Sequence, residues 1–198
     1  LHCRLVGVHR CAVAESAGDL QTMAHLLTGL SLSYREQEEF EQALAYGRRG
    51  LAIYEELTDR YGTIQAALTL GELSRQLGTY TDARRFCEQA VLVSQEIGHR
   101  SGEADGHYRL GQIAVDVGER DEALRQLRLA LHQSDEIQET PMILDILLEI
   151  GCLLVDHDAP RANLILGFLL NQPTLPDQRR ARARDALDRL PAGSPTAP

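Results

Sequence analysis

Sliding this chain along itself by forty residues brings the same residues back into register. Leu30-Ser31, Leu70-Gly71, Leu110-Gly111 and Ile150-Gly151 mark one point of the frame. Ala43, Ala83 and Ala123 mark a second, and Gly50, Ala90 and Ala130 a third. No other property restricts the fold as much. A unit of this size cannot close a core alone and must bury its apolar face against copies of itself.

Within one period the pattern is helical. Ala66, Ala67, Leu70, Leu73 and Leu77 follow spacings of three and four, which gives a helix with one buried stripe. Gly78 breaks it, and Tyr80-Thr81-Asp82-Ala83 opens a second helix that reaches past Ala90. The frame predicts first helices at 20–37, 60–77, 101–117 and 141–155. Partner helices follow at 40–57, 80–97 and 120–137, with Glu41, Asp82, Asp121 and Glu122 placed where negative charge complements a helix N-terminus. Gly18, Gly62, Gly98 and Gly102 are expected to give permissive backbone around the breaks.

The resulting organisation is a half-unit at 1–17, full units at 18–58, 59–98 and 99–138, and a degenerate unit at 139–171. The half-unit reads as the second helix of a repeat whose first helix lies upstream, so the chain is expected to be part of something longer. Residues 174–190 are expected to form a capping helix, with Ala183, Ala186, Leu187 and Leu190 inward and Arg179, Arg180, Arg182, Arg184 and Arg189 toward water. Residues 191–198 are read as a disordered tail. Gly71, Gly111 and Gly151 stand mid-helix, where glycine costs about 1 kcal/mol against alanine. Close approach of the paired helix is the reason expected.

These residues, with Tyr34, Phe40, Gly78, Tyr80 and Gly118, resemble the tetratricopeptide repeat family. The resemblance implies an all-α fold, a right-handed superhelical solenoid of antiparallel helix hairpins with a C-terminal capping helix. The familiar unit is 34 residues long, so each hairpin here is longer by several residues, and Ser74 and Ala114 replace aromatic positions. Units of this longer kind are similar to the C-terminal arrays of bacterial STAND- and LuxR-type regulators and to those of polarity adaptors.

Carrying over the family's concave groove implies His25, Thr28, Leu32 and Arg35 in the second unit. It implies Gln65, Leu68, Glu72 and Arg75 in the third, and Asp105, Tyr108, Arg109, Gln112 and Val115 in the fourth. Of these, Thr28, Arg35, Leu68, Glu72, Arg75, Tyr108, Arg109 and Gln112 are the candidate partner-binding set. Arg35 and Arg75 are expected to neighbour one another and to hold a carboxylate-bearing peptide through forked hydrogen bonds. The carboxylate clamp of chaperone cofactors is rejected, because Thr28, Leu32 and Asp105 fill its Lys and Asn positions and only Arg109 fits.

No catalytic constellation emerges. The seven histidines include no HExxH pair, and the glycines form neither a P-loop nor a GxGxxG fingerprint. No metal site and no cofactor are expected; His99 with His107, and Asp156-His157-Asp158, read as surface and turn residues. A net charge of −9 argues against general nucleic-acid affinity. No apolar run approaches the roughly 20 residues of a membrane span. Cys3, Cys11, Cys87 and Cys152 contain no CxxC pair and read as reduced thiols in a cytoplasmic protein. The function expected is a non-enzymatic protein–protein interaction scaffold or sensor, the C-terminal arm of a larger signalling or transcriptional regulator. Its partner is a protein or peptide segment, or another domain of the same polypeptide. The alternative is a peptide or small-ligand sensing arm that controls an attached effector domain.

Overall fold

The computed structural model describes residues 2–190, with the side chains of 2–8 and 12 outside the description. The tail expected at 191–198, Leu1 and the Cys3 thiol therefore lie outside the described residues. Among those residues are ten helices and no strand: α1 His2–Ala17, α2 Leu20–Arg35, α3 Phe40–Glu56, α4 Arg60–Gln76, α5 Tyr80–Ile97, α6 Arg100–Asp116, α7 Arg120–Glu136, α8 Thr140–Leu154, α9 Ala159–Leu170 and α10 Asp177–Asp188.

The breaks keep a strict rhythm. Backbone φ is positive at Gly18, Glu38, Thr58, Gly78, Gly98, Gly118 and Gln138, one residue in every twenty. Each of these residues turns the chain into the left-handed region, so the next N–H reaches back to a carbonyl five residues earlier. Asp19 bonds Ala14, Asp59 bonds Tyr54, Thr79 bonds Ser74 and Glu119 bonds Ala114, at 2.8–3.0 Å. Asp19 and Asp59 then cap the following helix by accepting from Thr22 N at 3.0 Å and Gly62 N at 2.9 Å. The rhythm stops after α8, where Asp158, at φ −144°, caps α9 instead.

Gly62 and Gly102 take no part in the turns. Both lie inside helices, and a Cβ at 62 would stand 2.2 Å from the Tyr54 ring, one at 102 only 2.5 Å from His99 Nδ1. They provide room for a neighbouring side chain, not a positive φ.

The chain divides into two compact units, the first ending at Arg109 and the second beginning at Leu110, both within α6. In the first unit α2 packs on α3, α4 on α5, and α3 on α4. Leu27, Ile64, Leu70 and Leu73 are at most 1% exposed and fill the layers between these helices. Fully burying each such side chain is worth about 1.5–3 kcal/mol. At Gly71 a Cβ would meet Cys87 Sγ of α5 at 2.5 Å, and Ser31 in the equivalent place donates to the Ala43 carbonyl of α3 at 2.8 Å. In the second unit α7 packs on α8, α8 on α9, and α10 on both α8 and α9. Here a Cβ at Gly111 would meet Leu127 at 2.8 Å and one at Gly151 would meet Leu166 at 2.7 Å. The mid-helix glycines thus sit where the paired helix comes closest.

α10 departs from expectation. Pro176 is its N-cap, so it is shorter than 174–190. Ala183 and Ala186 are buried as the pattern required. Three of the arginines expected in water also reach protein, with the Arg179 and Arg182 side chains still 34% and 52% exposed. Arg179 pairs with Asp145, Arg182 forks onto Glu149, and Arg180 donates to the carbonyls of Leu170 and Gln172. Unpaired acids and carbonyls would otherwise be buried beneath this helix, and the arginines satisfy them.

Candidate functional site

Within the first unit, α4 and the first turns of α6 bring four charged side chains into one network. On α4, Arg75 Nε and Nη2 donate to Glu72 Oε2 and Oε1 at 3.1 and 3.0 Å, an i,i+3 fork. On α6, Arg109 Nε and Nη2 donate to Asp105 Oδ1 and Oδ2 at 2.9 and 3.2 Å, an i,i+4 pair with the acid N-terminal, the favourable order. Arg109 Nη1 then reaches across to Glu72 Oε2 at 3.4 Å. Gln76 Nε2 completes the set on Glu72 Oε1 at 2.8 Å.

Glu72 is the hub, with its side chain only 13% exposed, while those of Arg75, Arg109 and Asp105 are 23–25% exposed. Charges this far from water interact more strongly than surface pairs. Burial works against the charge on Arg109, but Asp105 and Glu72 outweigh it and hold the guanidinium above its ordinary value. The same charges act on Cys87, whose thiol burial pushes up to about 12, with Arg109 pulling down and Asp105 and Glu72 pushing further up. That thiol is neutral and inert at neutral pH. The arrangement is suited to recognition by hydrogen bond and charge.

Of the residues expected to line a groove, Glu72, Arg75 and Arg109 come together, and Asp105 joins them. Two expectations fail. Leu68 is 3% exposed and belongs to the core between the helices, because its stripe on α4 faces inward. Arg75 is no open fork for an incoming carboxylate, since Glu72 already occupies it, and Arg35 stands outside the network. Thr28 sits in the α2–α3 interface, its hydroxyl donating to the Ala24 carbonyl at 3.0 Å. His25 Nδ1 lies 2.8 Å from the Gln21 carbonyl, and its ring meets Tyr54 edge-on. Leu32, Arg35 and Tyr108 are half-buried and Gln65 is exposed in the first unit; Gln112 and Val115, both half-buried, belong to the second. Gln76 escaped the sequence reading, although its i,i+4 spacing from Glu72 is a legible signal. Among the described residues no three His, Cys, Asp or Glu side chains gather as a metal site, and no helix is long and apolar enough to cross a membrane.

Comparison with known proteins adds the following. Two family models, both described as tetratricopeptide repeat, match residues 62–132 and 23–59, together more than half of the chain. No curated protein sequence matches. Among solved structures the chain is similar to BtubC (BKLC) from P. vanneervenii, at 17% identity and a TM-score of 0.76, covering 95% of this chain and 84% of that one. It is similar to the apo form of RapI, at 16% identity and a TM-score of 0.77, covering 88% of this chain and half of the other. It is also similar to YrrB, described as a protein with an unusual peptide-binding site, at 16% identity and a TM-score of 0.57, covering 89% of each.

Proposed function

The chain belongs to the tetratricopeptide repeat family, and from that premise we propose that it is a non-catalytic scaffold that binds a segment of another protein on the first-helix face of α4 and α6. One observation carries this reading: the half-buried network centred on Glu72. Its two guanidinium groups are oriented and partly desolvated, but their acceptors are exchangeable side chains. An acidic side chain of the incoming segment replaces Asp105 or Glu72 as acceptor, so binding is an exchange of partners. Tyr108, one residue before Arg109, supplies amphipathic surface next to it. The peptide-binding description of YrrB supports the ligand class.

The finer reading is an arm of a larger signalling or transcriptional regulator in the cytoplasm, where the bound segment belongs to a partner or to another domain of the same polypeptide. The free thiols Cys11, Cys87 and Cys152 agree with a reducing compartment.

The test is to titrate the full chain against a peptide library and a metabolite library. The reading expects peptide ligands with an acidic residue, and a loss of about tenfold or more in affinity for Arg75→Ala with Arg109→Ala, as for truncation of a charged anchor. Ligands drawn only from metabolites, or peptides that bind the double variant unchanged, refute it.

A further inference from the structure

The attachment of α10 is unusual for a helix that covers a core. It is the most polar of the described helices, and within it only the two alanines Ala183 and Ala186 are fully buried. Two methyl-sized side chains remove little apolar surface from water, and Leu187 adds only a half-buried side chain. Paired charges supply the directional contacts. Arg182 Nη1 and Nη2 bond Glu149 Oε1 and Oε2 at 2.8 Å each, a bidentate fork, and Arg179 forks onto Asp145.

The other side of this contact is equally specific. α8 reads TPMILDILLEIGCLL, and Asp145 and Glu149 are its only charged residues. They are four apart, one turn along the same face, and both are aimed at α10. The Glu149 side chain is 8% exposed and that of Asp145 22%. An otherwise apolar helix thus carries one acidic strip and turns it entirely to a helix with arginines at i and i+3 and alanines four residues after each. Asp145 also stands forty residues after Asp105, the acceptor of Arg109 on α6, whereas Glu149 stands forty after Arg109 itself, so an acid replaces the arginine at that frame position.

The connection anchors itself to α9 separately from the arginine forks, so α10 stays tethered when the forks open. Residues 171–176 contain Pro173 and Pro176 and turn the chain, with Leu175 N donating to the Gln172 carbonyl at 3.3 Å and the Leu175 side chain 4% exposed. Arg180 ties the link, its Nη1 donating to the Leu170 carbonyl at 2.6 Å and its Nη2 to Gln172 at 2.9 Å.

We infer that the Asp145–Glu149 strip of α8 is a docking site for an arginine-bearing helix of a partner protein, and that α10 is its removable intramolecular occupant. The partner helix carries arginines three residues apart with a small residue four after each, and it enters by displacing α10. Removing α10 leaves two carboxylates on an apolar helix without counter-charge, which a competing arginine pair relieves. The site is separate from the Glu72 network and does not depend on it.

A labelled synthetic peptide of residues 174–190 serves as the probe, titrated by fluorescence anisotropy against the full chain. Arg179→Ala with Arg182→Ala weakens the resident helix. The expected result is that this variant binds the peptide about tenfold or more tighter than the unaltered chain, and that adding Glu149→Gln removes the gain. A peptide that binds the weakened chain no better, or binds regardless of Glu149, overturns the inference. Hydrogen exchange on the unaltered chain gives a second reading that needs no variant. Raising salt should speed exchange of α10 amides about tenfold while those of α8 hold, because α10 is held by arginines whose side chains are 34% and 52% exposed and so open to screening. Equal protection of α10 at low and high salt overturns it as well.

Discussion

Thr58 closes α3 with φ at +54°, where the equivalent residues at 18, 78, 98 and 118 are glycine. A branched side chain in the left-handed region costs about 1–2 kcal/mol. Glycine at the same place loses more freedom on folding, by roughly 0.4–1 kcal/mol. Thr58→Gly is therefore expected to stabilise the chain by about 0.5–1 kcal/mol. The Thr58 side chain is exposed, and the hydrogen bonds that close the turn come from the backbone: Thr58 N to the Glu55 carbonyl at 3.0 Å and Asp59 N to the Tyr54 carbonyl at 2.9 Å. The substitution leaves all of that in place. Urea unfolding followed by circular dichroism at the helical band should show a higher midpoint with an unchanged slope. The melting temperature should rise by about 1–4 °C for a chain of this size. The reverse change, Gly78→Thr at φ +72°, should lower the midpoint by a comparable amount. If Thr58→Gly is neutral or destabilising while Gly78→Thr is harmless, backbone strain does not govern these turns and the twenty-residue rhythm needs another cause.

Gly71→Ala places a methyl 2.5 Å from Cys87 Sγ, so despite alanine's better helix propensity it should destabilise by roughly 1–2 kcal/mol, and Cys87→Ala should recover much of that in a double-mutant cycle. Cys87 should resist alkylation in the native chain at pH 8, since a thiol pushed up to about 12 carries on the order of a thousandfold less thiolate than one at its usual value; rapid labelling of Cys87 before unfolding would contradict its environment. Asp59→Ala should cost about 1 kcal/mol through the lost cap on Gly62 N, with Asn largely rescuing it. The Asp59 carboxyl is held below its ordinary value, first by that backbone hydrogen bond and then by Gln21. Its contribution is therefore complete above the unfolded carboxylate pKa and fades as acid takes the pH down through the folded value. A stability difference between the parent chain and Asp59→Ala that does not shrink in acid would refute the assignment.

Much of this protein follows from the chain read as a string. The period fixes which residues are apolar neighbours along each helix, and these are local relations carried by sequence spacing alone. Hence the predicted helices and observed ones differ mostly at their C-terminal ends, where a residue turned to positive φ leaves the helix early. Glycines at 71, 111 and 151 could be assigned to close packing because the cost of glycine in a helix demands a tertiary return. Gly62 and Gly102 were misread as turn residues, since spacing near a break does not say which side chain leans over them. The site depended on tertiary structure more heavily. Arg109 and Glu72 are 37 residues apart, as Arg179 and Asp145 are 34 apart, and nothing in the period states that these partners meet. Charges on a helix surface have long flexible stems and several acceptors within reach, so their pairing is decided by how two helices cross and by how little water remains between them. That is why apolar spacing was legible from one strand of text, while the occupant of each arginine fork was settled only when the helices packed.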